Sequence, residues 1–253
     1  MAEFIVIIPA RLASTRLPRK PLADIGGMPM VVRVARNAAV SGARRVIVAA
    51  DSEEIVASCG AHAVECLLTS TDHPTGTDRL AEAARRLALA PQDIVVNVQG
   101  DEPMMPAAVV REAADVLATR PDCEIATAAH PITEAGEFFD PNVVKVVTDG
   151  AGRALYFSRA PIPWSRDAFA AGRSTLPAGL PALRHVGLYA YRAAFLLRFP
   201  ALTRPAIEEH ESLEQLRALA HGVGIAVFRL PGALPPGVDT PQDLARVRAL
   251  VSG

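Results

Sequence analysis

The sequence predicts an α/β fold built on a mostly parallel sheet, and three observations predict it. Short apolar runs alternate with amphipathic segments through roughly the first 120 residues, the rhythm of a parallel sheet with right-handed crossovers. The runs are continuously apolar rather than alternating, as strands covered on both faces are. The loops that leave two of these runs, Arg11–Lys20 and Gln99–Glu102, are rich in charge, and open α/β sheets bind ligands where such loops leave the strands.

Taken in order, Phe4–Ile8 reads as the first strand, ended by Pro9, which has no N–H to give to a ladder. Met28–Val40 is amphipathic and reads as a helix. Arg45–Ala50 is a second strand, and Asp51-Ser52 caps a helix over Glu53–Cys59. Ala63–Leu68 is a third strand. After a polar loop, Thr77 is placed to cap an Ala-rich helix over Asp78–Leu89. Ile94–Val98 is the clearest strand, and Pro106–Thr119 is helical. The rhythm then changes. Glu124–His130, Val143–Thr148 and Ala154–Ser158 read as strands on short links, with Asp149-Gly150 supplying a hairpin turn. Pro161–Pro181 is rich in Pro, Gly and Ala and reads as an irregular excursion. His185–Tyr191 is a strand, Glu208–Ala220 a helix, Ile225–Leu230 a strand and Gln242–Val251 a final helix, with Thr240 at its N-cap and Pro241 at its first position. There is no internal repeat, linker or low-complexity tract, so residues 1–253 read as one domain, 1–120 binding nucleotide and 121–253 forming the other half.

Bulk properties exclude several classes. A chain of 253 residues, half of them hydrophobic, with a net charge of −1, is an ordinary globular protein. It lacks the basic excess that nucleic-acid binding needs. No apolar run is long enough to span a membrane, and the Met1 end lacks the layout of a signal peptide. Cys59, Cys66 and Cys123 lack metal-ligand spacing and read as thiols of a reducing cytoplasm. Of 26 basic residues all but Lys20 and Lys145 are arginine, which singles out those two ammonium groups.

The loop after the first strand holds Arg11, Arg16, Arg19 and Lys20, with Pro18 and Pro21 restricting its path. Several fixed cations suit a polyphosphate. The glycine fingerprints of P-loop and dinucleotide-binding folds are absent, which argues against a nicotinamide dehydrogenase. Asp101 follows the best strand at the same sheet edge and could hold Mg²⁺, or could simply form a turn. Asp239 precedes the last helix; nothing in the spacing says that it meets Asp101. Arg159, His185, Tyr189 and Glu214 each have an ordinary structural reading, His185 and Tyr189 as a pair on one strand face, Glu214 and Arg217 as a helix ion pair.

Together these blocks form a recognisable set. Ile8-Pro-Ala-Arg, Ser14-Thr-Arg-Leu-Pro-x-Lys-Pro-Leu22, Asp72-His73-x-x-Gly76-Thr77, Asn97-Val-Gln-Gly-Asp-Glu-Pro-Met104, Asn142-Val-Val-Lys-Val-Val147, Leu155–Arg159, Ile162-Pro-Trp164, Arg184–Tyr189, Leu213–Arg217 and Val238-Asp-Thr-Pro241 resemble the 3-deoxy-manno-octulosonate (Kdo) cytidylyltransferase family over almost the whole chain. The resemblance implies a Rossmann-like mixed sheet of the nucleotide-diphospho-sugar transferase type. It also implies a cytoplasmic, Mg²⁺-dependent homodimer that joins CTP and Kdo into CMP-Kdo and pyrophosphate for lipopolysaccharide synthesis. Carried over by motif, Pro9, Ala10 and Arg11 would contact the nucleotide, and Arg16 and Lys20 would hold its phosphates. Gly76 and Arg79 would shape the cytosine and ribose pocket, and Asp101 and Asp239 would hold Mg²⁺. Gln99, Arg159, His185, Tyr189, Glu214 and Gln215 would hold the sugar acid. Lys20, Arg16, Asp101 and Asp239 would carry the catalysis. The chain departs from the family pattern at Arg19, where Gly is usual, at Thr75, where Ser is common, and at Asp78, where Glu is common. A cytidylyltransferase for a sialic acid and a CTP-binding regulator without activity are the alternatives.

Overall fold

The structure, a computed structural model, describes residues 1–252. The chain forms two compact units, Met1–Ala118 with Leu188–Pro200 and Leu234–Gly253, and Thr119–Gly187 with Ala201–Ala233. It leaves the first unit twice and returns to it twice, so the two parts are not a simple cut near residue 120.

In the first unit, β1 (Phe4–Ala10), β2 (Arg45–Ala50), β3 (Cys66–Leu68) and β4 (Ile94–Asn97) run parallel in the order β3-β2-β1-β4. The end of β8 (Leu183–Arg192) adds antiparallel to β4, with Asn97 opposite Tyr189. Five consecutive residues of β1, Phe4 to Ile8, are at most 1% exposed, and each large apolar side chain so covered contributes roughly 1.5–3 kcal/mol. The covering helices include α1 (Met30–Ala39) and α3 (Gly76–Arg86) against β1 and α4 (Ala107–Ala118) against β4. Because β1, β2 and β4 are parallel, their C-terminal loops leave on one edge of the sheet. The sequence-based reading of a mostly parallel sheet flanked by helices describes this unit.

In the second unit β5 (Ile125–Pro131) pairs parallel with β9 (Ile225–Arg229), and β6 (Lys145–Thr148) pairs antiparallel with β7 (Ala154–Ser158). The start of β8 meets β6 at Lys145 and Arg184. Ile132, Phe138, Val143, Phe169 and Ala182 form a separate buried cluster there.

Several boundaries differ from the sequence reading. The third strand starts at Cys66, not Ala63, because Ala63 takes a left-handed conformation, φ 55°. Thr75, not Thr77, caps α3: its hydroxyl accepts from Asp78 N at 3.2 Å and donates to the Asp78 carboxylate at 2.6 Å, a reciprocal box that places the cap two residues earlier. The turn between β6 and β7 is not a two-residue Asp-Gly turn; it runs from Asp149 to Arg153 and its left-handed residue is Gly152. The helix expected over Glu208–Ala220 is two, α8 (Ala206–Glu211) and α9 (Gln215–Ala220), broken at Ser212 with φ 51°. The excursion after Pro161 contains a short helix, α6 (Arg166–Ala171). The final helix, α10 (Pro241–Ser252), starts as read, with Thr240 and Asp243 capping each other.

Candidate active site

Three chain segments of the first unit converge on one ammonium group. The loop after β1 turns back through a short 3₁₀ turn at Lys20–Leu22, whose Pro21 is buried. This points Lys20 Nζ at Asp101 Oδ2, 2.5 Å away, and at Asp239 Oδ1, 3.1 Å away. Arg16 Nη2 reaches the same Asp239 oxygen at 3.2 Å. Asp101 is there because β4 ends just before it. Gly100 lets the turn pass β1, since a Cβ there would lie 2.8 Å from the Pro9 carbonyl. Asp239 is there because Val238 N donates to the Asp101 carbonyl at 2.8 Å. Val238 is itself fully buried with Ile25, Met30, Leu244 and Val247, and Leu17 of the cationic loop packs against the same cluster. A Cβ at Gly237 would come within 3.2 Å of that carbonyl, so this contact too depends on a missing side chain. Apolar packing under the loop thus brings together two aspartates that sequence spacing left unconnected.

Burial opposes the charge on Lys20, yet Asp101 and Asp239 outweigh it and hold the ammonium above its ordinary pKa. A cavity of about 420 Å³ opens beside it, lined by Pro9, Ala10, Arg11, Arg16, Gly76, Gln99 and both aspartates. That volume suits a small ligand, and its wall joins Arg11, Arg16 and Lys20 to Ser14, Thr15 and the two aspartates.

Arg79 does not line this cavity. Its side chain is 0% exposed, and Nη1 donates to Thr69 Oγ1 and to the Ser70 carbonyl at 3.1 Å. Burial lowers its pKa, and Asp51 Oδ2, 3.7 Å away, partly offsets the effect. Asp51 also accepts from Leu12 N at 2.9 Å, so Arg79 and Asp51 sit behind the walls on both sides, the 69–70 loop and the cationic loop. Arg11 spans the same gap at the surface, from Nη2 to the His73 carbonyl at 2.6 Å. Sequence reasoning gave Asp51 only a capping role; no local spacing signals its contact with Arg79.

The family profile described as cytidylyltransferase matches residues 5–225. A 3-deoxy-manno-octulosonate cytidylyltransferase from Leptothrix cholodnii is 59% identical over 246 residues, 97% of this chain and 90% of its own. Another from Methylibium petroleiphilum is 60% identical over 251 residues, 98% of this chain and 95% of its own. The chain belongs to the 3-deoxy-manno-octulosonate cytidylyltransferase family. It is a nucleotidyltransferase. The structure of a CMP:2-keto-3-deoxy-manno-octonic acid synthetase complexed with CTP matches at a TM-score of 0.90, with 39% identity and 99% of both chains covered. A cytidylyltransferase from Leptospira borgpetersenii, 15% identical, shares the fold at a TM-score of 0.61 over 99% of this chain and 87% of its own.

The remaining residues that the Kdo cytidylyltransferase motifs single out divide between the two units. Gln99 and Tyr189 belong to the first, Gln99 two residues past the end of β4 and Tyr189 on β8 opposite Asn97. Arg159, His185, Glu214 and Gln215 belong to the second. His185 Nε2 lies 3.0 Å from Thr127 Oγ1, and that hydroxyl donates to the Val186 carbonyl at 3.1 Å. Burial pulls the pKa of His185 down to about 3, so the ring is neutral near pH 7. Glu214 sits at the N-terminal cap of α9, next to Gln215. Arg217, read as a partner for Glu214 on one helix, grips Glu208 across the break through two bonds of 2.8 and 2.6 Å. Lys145 is fully buried and donates to three carbonyls, Asp140 at 3.0 Å, Val143 at 2.5 Å and Arg159 at 2.6 Å.

Proposed function

We infer that this enzyme transfers CMP from CTP to the anomeric hydroxyl of Kdo, giving CMP-Kdo and pyrophosphate. The observation that carries the reading is the convergence of Lys20, Arg16, Asp101 and Asp239 on one cavity, in a chain about 60% identical to relatives named for this reaction. The anomeric oxygen forms a bond to the α-phosphorus while the bond to the β-phosphate oxygen breaks. Such a transfer asks the protein for positioning and charge neutralisation rather than for covalent chemistry. Lys20 and Arg16 take the phosphate oxygens and the charge that builds on the leaving pyrophosphate. Pro9, Ala10, Arg11 and Gly76 hold the nucleotide, and Arg79 keeps the wall of that pocket in place from behind. Gln99, Tyr189, Arg159, His185, Glu214 and Gln215 hold the sugar acid.

Asp101 and Asp239 fit a magnesium ion. They are two hard carboxylates that already converge on one cation, the Lys20 ammonium, and Mg²⁺ takes one or two protein carboxylates with phosphate oxygens completing its shell. Bound there it would neutralise phosphate charge as a Lewis acid. We also propose a cytoplasmic homodimer. The candidate dimer surface is the Pro161–Pro181 excursion with its flanks, where Trp164 is 47% exposed against Phe169 and under Arg173, the aromatic and Arg content typical of interfaces.

The test is pyrophosphate release from CTP and Mg²⁺, with Kdo or with N-acetylneuraminate. Release with Kdo alone is expected, and Lys20→Ala should lose on the order of 10²–10³ in turnover while staying folded. Release with N-acetylneuraminate alone would overturn the sugar half of the reading. Silence with both, with CTP still bound, would leave a binding-only protein.

A further inference from the structure

Arg159 is held through both its backbone and its side chain. It follows β7, and groups of opposite charge grip its backbone on either side. Its N–H donates to Glu211 Oε2 at 2.9 Å, and its carbonyl accepts from Lys145 Nζ at 2.6 Å. The other Glu211 oxygen accepts from Ser158 Oγ at 2.6 Å, so the carboxylate is fixed in its turn. The guanidinium is aimed by two more bonds, Nε to the Glu211 carbonyl at 2.7 Å and Nη1 to the Pro141 carbonyl at 3.0 Å.

The choice of partners matters. An arginine in a structural ion pair meets a carboxylate and gives up its charge to it, as Arg217 does to Glu208. The Arg159 guanidinium meets carbonyls, which orient the fork without an ion pair to it. Nη2 has no hydrogen bond among the described residues. A fixed, half-buried guanidinium with one edge open and no carboxylate paired to its fork suits an anion. Burial lowers the pKa of Lys145, with Asp140 and Glu211 partly offsetting it. Burying an ammonium is unfavourable unless every proton finds an acceptor, and three carbonyls meet that demand here.

We propose that Lys145 and Glu211 are positioning residues that preset Arg159 for the carboxylate of the sugar acid. The proposal rests on the reading above that Arg159 holds that substrate. Neither residue touches the ligand. Glu211 fixes the backbone and the Nε edge, Lys145 fixes the following carbonyl, and the pair sets where Nη2 can point.

The experiment is steady-state pyrophosphate release at varied Kdo and varied CTP for Glu211→Gln, Arg159→Ala and the double variant, each with its thermal midpoint. Glutamine keeps an acceptor for either Ser158 or Arg159 N–H but loses the charge that serves both. Glu211→Gln is expected to raise KM for Kdo about tenfold, in line with one charge-assisted bond, with KM for CTP within about twofold. The double variant should be no worse than Arg159→Ala, because a residue that acts through another adds nothing once that other is gone. If Glu211→Gln is recovered unfolded, Glu211→Asp, which keeps the charge and withdraws it by one methylene, carries the same comparison. Additive losses, or equal rises in both KM values, would overturn the proposal. So would a large effect of Arg159→Ala beside an unchanged Glu211→Gln. An unchanged KM for Kdo in Arg159→Ala is a different failure: it removes Arg159 from the sugar site, and this proposal with it.

Discussion

Arg19 shows how one residue can carry two opposed effects. It stands in a left-handed conformation, φ 56° and ψ 32°, at the entrance to the Lys20 turn, and its guanidinium pairs with Glu54 at the surface. An L side chain in that region costs about 1–2 kcal/mol, whereas an exposed ion pair contributes 0–1 kcal/mol. The backbone term wins, which gives a physical reason for glycine to be the usual residue of the family here. Arg19→Gly should therefore be more stable than Arg19→Ala by about 1 kcal/mol, read from denaturant midpoints; both lose the Glu54 pair, so the difference isolates the backbone. Equal midpoints would mean that the turn relaxes away from φ 56° without the arginine. The cations of this loop were legible in the sequence as four charges in ten residues after an apolar run, a pattern that a solvated basic loop also gives and that the strand before it and the two prolines within it turn towards function. The carboxylates that meet them were legible only as single residues. Their meeting depends on Val238 and its buried neighbours, and no spacing along the chain encodes that. Glu211 left no signal at all, since a glutamate in an acidic helix looks like solvent-facing charge.

At the scale of elements, the parallel strands were readable because burial on both faces removes polar residues from them. Caps and breaks were less so. Thr75 and Thr77 are both plausible caps, and only the reciprocal bonds with Asp78 choose between them. Thr75→Ala should cost about 1 kcal/mol of stability, measured by urea denaturation, and an unchanged midpoint would mean that this cap contributes nothing. The break at Ser212 was hidden for a related reason: a non-glycine residue with positive φ gives no compositional warning. That break has a use. It separates α8, which supplies Glu208 and Glu211, from α9, which supplies Gln215 and Arg217, and the Glu208–Arg217 pair ties the two together. One uninterrupted helix could not present Glu211 to β7 and also place Glu214 at a helix start.

For the molecule as a whole, the sign of one pH effect follows from His185. In the unfolded chain an ordinary histidine titrates near 6.5; folded, this one titrates near 3. Between those values the unfolded chain binds a proton that the folded chain does not, so stability falls as pH falls, at up to about 1.4 kcal/mol per pH unit. His185→Gln should remove that slope between pH 6.5 and the onset of carboxylate titration, and thermal melts of both proteins across that range would read it. An identical slope in the variant would mean that the folded ring accepts a proton normally. The first boundary, after Ala118, lies beside the change of rhythm read near residue 120, but the returns of β8 and α10 to the first unit were not readable, because strand pairing and packing decide them rather than composition. The cationic loop also has a consequence for traffic at long range. Arg16 and Lys20 face Asp239 and Asp101, and Arg19 faces Glu54, so three of the loop's four cations are paired and Arg11, on the His73 carbonyl, carries most of its net field. A passing polyanion that arrives alone must strip the two aspartates of their counter-charges before it gains anything. A ligand that offers a counter-charge to the aspartates as well as to the bases avoids that cost.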